Sequence, residues 1–184
     1  MGALLSVIII AVIVGIVVYA VSNSGGERNV VDGGGSGGGS VGGGGKKART
    51  FQIKTKVPSL ITVSSLTFYD KAGNRLSNNK MEAFQSSTNP THEGKSAVAS
   101  NALDGRKDTS SFTLIFNRSK AGHEWFKVDF NEDLDIGKIR MEFYDIGVSH
   151  YMEQSRYQLL DFQGNVIWEG SIVKGNDTYE FLIR

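Results

Sequence analysis

The sequence predicts an all-β protein: an antiparallel β-sandwich carried behind one N-terminal transmembrane α-helix. Three observations predict it. Residues 4–21 form an uncharged aliphatic run (LLSVIIIAVIVGIVVYAV), and residues 23–45 are dominated by glycine and serine. From Thr50 onward, short apolar–polar alternations are separated by Gly, Asn, Asp and Ser. The chain thus divides into an anchor over 1–22, a flexible linker over 23–49 and a β-sandwich domain over 50–184.

The anchor is read first. No charged side chain occurs from Gly2 to Gly26. An apolar run of this length makes roughly 27 Å of helix, close to the hydrocarbon thickness of a bilayer. Leu4, Ile8, Ile9, Ile10, Ile13 and Ile16 supply its lipid-facing bulk, and Tyr19 falls where an interfacial aromatic belongs. The β-branched stretch Val7–Val14, broken only by Ala11, would be a poor helix in water. In lipid it must still satisfy its backbone internally, so it is helical there. A cleaved signal peptide is the competing reading, with Ala20 and Ser22 as small residues before the cut. The missing basic n-region and the length of the apolar run favour the anchor. Arg28, Lys46, Lys47 and Arg49 follow the span and nothing basic precedes it. Positive-inside reasoning therefore leans the C-terminal domain to the cytosolic side. Met1–Ser6 also fits the M-G-x-x-x-[ST] pattern, with Gly2 as acceptor of a myristoyl chain, which a spanning helix does not need.

The linker carries GGGSGGGSVGGGG. Glycine loses the most backbone entropy on ordering and brings no side chain to bury, so a coil is expected. As a coil it spans roughly 27 Å r.m.s..

In the domain that follows, Phe51 with Ile53, Phe112 with Leu114 and Phe116, and Phe126 with Val128 and Phe130 alternate at period two. Ile139, Met141 and Phe143 do the same, as do Tyr157 with Leu159, and Tyr179 with Phe181 and Ile183. That is the pattern of half-buried strands. The segments 70–74 and 161–165 both read D-x-x-G-N between apolar runs, a signature of tight reversals. A domain of about 135 residues buries an adequate core without metal or disulfide.

A net charge of +1 gives no bulk attraction to nucleic acid. The absence of cysteine removes disulfides, thiolate nucleophiles and cysteine metal sites together.

Three segments carry a resemblance. Asn101-Ala-Leu-Asp104-Gly105-Arg-Lys-Asp108-Thr109, then Trp125-Phe-Lys-Val128-Asp129-Phe130, then Ile136-Gly-Lys-Ile139-Arg140-Met141 stand in this order. Together they resemble the discoidin-type, galactose-binding-like family, with A-x-D-G-x-x-x-T, W-x-x-V-D-L and I-x-x-I-x-I. The resemblance implies an eight-stranded jelly-roll sandwich that binds glycans, phospholipid heads or proteins through loops at one end. Phe112 stands near the place of a family tryptophan, and the family's terminal cysteine pair is absent. By position, the resemblance implies a Ca²⁺ site from Asp104, Asp108 and Thr109, with Glu180 as a late carboxylate. Hard oxygen ligands suit that ion. The residues also allow a second reading, in which Asp104-Gly105 is a turn closed by side-chain hydrogen bonds and no cofactor is required. Arg106 and Lys107 inside the loop favour the turn.

Catalysis finds no motif. His92, His123 and His150 are scattered, and H-E-x-x-H does not occur. His123 beside Glu124 and Trp125 is a candidate pocket residue, a solvated loop histidine being the commoner reading, and Trp168 is a candidate stacking platform for a sugar, a half-buried packing residue being the commoner one. The expectation is a non-enzymatic protein tethering a bilayer to protein partners in an assembly, an arrangement suited to a minor capsid protein between the inner membrane and the capsid of a large virion. The alternative is a cell-surface module recognising glycan or lipid.

Overall fold

The computed structural model describes residues 29–32, 47–57, 59–90, 97–114, 124–143, 150–172 and 176–184. The anchor residues 1–22, with Gly2 and Tyr19, lie outside these, as do His92, His123 and Phe116. Among the described residues no helix is long and apolar enough to cross a membrane; regular structure there is strand, with 3-10 turns at Asn78–Lys80, Ala99–Leu103 and His150–Met152.

Period-two alternation becomes strand wherever one face can be buried. In β7 (Trp125–Leu134), Phe126, Val128 and Phe130 are buried while the intervening residues are partly exposed. β2 (Ala48–Thr55) buries Phe51 and Ile53 in the same way, and β9 (Ser155–Leu160) buries Tyr157 and Leu159. With β5 (Met81–Gln85) and β10 (Val166–Gly170) these make a five-stranded antiparallel sheet, ordered β10-β9-β2-β7-β5. A second sheet is ordered β1-β11-β8-β4, from β1 (Asn29–Asp32), β11 (Thr178–Leu182), β8 (Ile136–Glu142) and β4 (Ser65–Asp70). Its pairings are antiparallel except that of β1 with β11, which is parallel. A short ladder joins β3 (Thr62–Val63) to β6 (Ser111–Phe112).

The two sheets meet through aromatic side chains. Phe68 of β4 packs edge-on against Phe51 of β2 at 5.6 Å and Phe130 of β7 at 5.1 Å. Phe181 of β11 lies 5.3 Å from Tyr157 of β9 and 5.5 Å from Trp168 of β10. All these side chains are buried, each contributing roughly 1.5–3 kcal/mol by leaving water. The result is a β-sandwich, as the alternation predicts.

Strand registers separate two ends. The connections 71–80, 135 and 161–165, the start of β2 and the finish of β11 share one end. The connections 56–61, 86–110, 113–124, 143–154 and 171–177, which include the longest, begin and finish at the other.

The structure departs from the sequence expectation in two segments. Of the Phe112–Phe116 alternation, the described residues 112–114 contribute only Phe112 to the two-residue β6, and Leu114 is 38% exposed. Thr113 donates its amide to the Ile61 carbonyl at 3.0 Å and accepts the Ile61 amide on its hydroxyl at 2.8 Å, which ends the ladder. Inside the segment expected to be linker, Asn29–Asp32 pairs with β11, and β2 begins at Ala48. Val30 and Val31 are adjacent β-formers in a glycine-rich stretch.

The two D-x-x-G-N segments close in the same way. Gly73 and Gly164 adopt φ of 85° and 82°, where a side chain would be strained. Asp70 accepts the Asn74 amide, and Asp161 the Asn165 amide, each at 2.8 Å. The Asn74 side chain, then its backbone amide, hold the Asp70 carboxyl below its ordinary value, with smaller help from the Ala72 and Gly73 amides. A depressed carboxyl contributes stability above its unfolded value of about 4 and loses it as pH falls through the lower folded value. Asn74→Ala is therefore expected to move the Asp70 midpoint upward toward about 4 in an NMR titration; an unmoved midpoint would contradict this origin.

Candidate functional site

The loop carrying the D-G-x-x-x-T segment lies between the 3-10 turn Ala99–Leu103 and β6, and its start meets the 71–80 connection, where the Leu103 carbonyl accepts the Asn78 side-chain amide. Ala99 and Ala102 are buried against the sandwich, and Asn101 donates its side-chain amide to the Ser110 carbonyl at 3.0 Å. These contacts fix both margins of the loop. Within it, Asp104 accepts the Arg106 amide on one carboxylate oxygen at 2.8 Å and the Thr109 hydroxyl on the other at 2.7 Å. Asp108 receives both Nε and Nη2 of Arg106, at 3.0 and 2.6 Å. The bond from Asp108, and then its charge, raise the Arg106 guanidinium above its ordinary value.

Of the four residues implied for Ca²⁺, the structure brings Asp104 and Thr109 into direct contact. Asp108 is engaged by Arg106, and Glu180 lies on β11, 3.7 Å from Lys138 of β8. The loop reaches a different acid: Lys107 pairs at 3.1 Å with Glu142, which also accepts from Arg140 at 2.8 Å. The sequence reading passed over Glu142, although it sits on the outward face of β8 between Met141 and Phe143. Its signal was parity: in an alternating strand it shares a face with Arg140. Three cations and three carboxylates thus meet here and compensate one another. Among the described residues no group of three or more His, Cys, Asp and Glu could hold a metal ion.

At the long-loop end, apolar side chains are exposed. Val57, Leu114 and Tyr151 lie on segments tied together by the Thr113–Ile61 bonds and by Ser59, whose hydroxyl donates to the Tyr151 carbonyl at 2.9 Å. Tyr151 is 53% exposed. Glu124 braces the same end by accepting the Ser86 and Ser87 hydroxyls at 2.5 and 2.7 Å.

The two stacking and pocket candidates fare differently. Trp168 is 7% exposed and edge-on to Phe181, so its ring is part of the core and not an open platform. Its indole N–H finds no acceptor among the described residues. His123 lies outside the described residues. The most exposed aromatic among the described residues is instead Phe162, 71% accessible at the β9–β10 turn, with the Arg49 guanidinium 6.0 Å from its ring centre. Phe162, Lys47, Asp133, Asp161 and Gln163 line an open groove of about 380 Å³ at the short-turn end.

Scanning the chain against models of protein families gives no match, and no curated protein matches it either.

Proposed function

We propose that this protein is a non-enzymatic tether. Residues 1–22 anchor it in a bilayer, and the sandwich binds a protein layer through its long-loop end. One observation carries this reading: apolar side chains of Val57, Leu114 and Tyr151 are exposed on segments tied together at that end. Such a surface favours a broad protein contact over chemistry on a small molecule. The long uncharged run of the anchor supports the membrane half of the proposal. The sandwich itself is proposed to be a discoidin-type jelly roll. A place between the internal membrane and capsid of a large virion would suit this arrangement, with the sandwich on the cytosolic side.

Sealed vesicles carrying the full chain test the proposal. The protein is expected to float with the lipid after carbonate extraction. Protease added from outside is expected to leave either the whole sandwich or only the anchor, according to orientation. Recovery of the chain in the aqueous fraction would reject the tether.

A second reading, recognition of glycan or lipid, draws on Phe162 with Arg49 beside it. Tight and selective binding of the vesicle-borne chain on a glycan array, abolished by Phe162→Ala, would favour that reading over the tether.

A further inference from the structure

We infer that β1 is a latch that decides which end of the sandwich faces the bilayer. The inference rests on the tether reading above and adds a regulation of its long-loop end. It comes from the polarity of one strand pairing.

β11 runs from Thr178 at the long-loop end to Leu182 at the short-turn end. β1 lies parallel to it, Asn29 opposite Tyr179 and Asp32 opposite Leu182. Chain preceding Asn29 therefore leaves the sandwich at the long-loop end, where Val57, Leu114 and Tyr151 are exposed. β2, by contrast, starts at the short-turn end. If β1 is undone, the chain leaves there, from Lys47. Pairing thus reverses the point of attachment from one end to the other.

It also changes reach. With β1 paired, residues 23–28 alone connect the anchor to the sandwich, and six residues extend at most about 20 Å. With β1 free, residues 23–47 connect them, spanning roughly 27 Å r.m.s. and about 85 Å at full stretch. The paired state turns the long-loop end toward lipid and withholds it from a protein layer. The released state turns it outward with room to search.

Two features make the latch reversible. β1 is four residues long and lies at the sheet edge, with β11 as its neighbour. β11 is also paired along its whole length with β8. Pairing imposes no stretch either, because residues 33–46 extend to about 45 Å and both their ends lie at the short-turn end.

The test uses the full chain in vesicles containing a headgroup-labelled energy acceptor. The chain has no cysteine, so Lys56→Cys and Gln163→Cys each provide one position for a donor dye, at the long-loop and short-turn ends respectively. Transfer from position 56 is expected to exceed transfer from position 163. Combining Val30→Pro with Val31→Pro, which removes the one amide of this pair that faces β11 and fixes φ at both residues, is expected to abolish or invert that order. Equal transfer from both positions in the unsubstituted background would overturn the inference, as would proline substitutions without effect. Amide exchange provides a readout independent of lipid. The β11 amides facing β1 should lose roughly tenfold protection in the proline variant while β2 and β9 keep theirs, and unchanged β11 protection would reject the latch. A chain that fails to float with the vesicles defeats the tether reading and the inference with it. One that floats but shows no end preference defeats the latch alone.

Discussion

Phe68→Ala is expected to lower stability by about 3–5 kcal/mol, the largest effect of any single truncation considered for this sandwich. Phe68 is fully buried and meets Phe51 and Phe130 of the facing sheet in edge-on geometry. Removing its ring loses transfer energy and leaves a void that two other rings cannot both fill. Edge-on aromatic pairs add about 0.5–1.5 kcal/mol beyond area. Against a total of about 5–15 kcal/mol, such a loss consumes a large share and should lower the melting temperature by roughly 10–20 °C. Urea denaturation of the two proteins checks it, with Phe162→Ala as comparison. Phe162 is 71% exposed, and its truncation should stay within about 0.5 kcal/mol. Equal costs at the two positions would mean that the sheets do not pack as described.

The second large effect is expected at Gly137. A Cβ there would lie 2.6 Å from the Asp70 carbonyl oxygen and 2.7 Å from the Lys71 Cα. Both are backbone atoms and cannot rotate aside, so the end of β4 would have to move. The ladder is already irregular at this point, its register shifting between Tyr69 and Asp70, and the Gly137 carbonyl also accepts the Ile183 amide at 2.9 Å. Gly137→Ala should therefore destabilise by about 1–3 kcal/mol. The sign is diagnostic, because the same exchange in open space stabilises by about 0.4–1 kcal/mol. A stabilised variant in thermal unfolding would show that β4 does not approach β8 this closely.

Which parts of this architecture can be read from the chain follows from the range of the interactions. Phe126, Val128 and Phe130 announce β7 because burial of one face imposes period two within the strand itself. The D-x-x-G-N turns are equally local, since Asp70 and Asn74 bond each other four residues apart. β1 is not legible: its partner is far along the chain, and two valines among glycines carry no periodicity. Trp168 misleads for a related reason. The β9–β10 register shifts between Val166 and Trp168, and an irregularity of that kind turns a side chain to the other face without a trace in the pattern. In the polar loop, the Asp104 turn follows from neighbouring residues, as the turn reading anticipates. The reach of Lys107 to Glu142 depends on how the loop lies over β8 and appears only in three dimensions.

The parallel seating of the first strand has a mechanical side. Tension on the chain ahead of Asn29 would act along the strand, loading its cross-strand bonds together and not peeling them singly. Such a joint resists a sudden tug yet yields to slow thermal fraying, so a bilayer pulling on the sandwich would not by itself release the end that it holds.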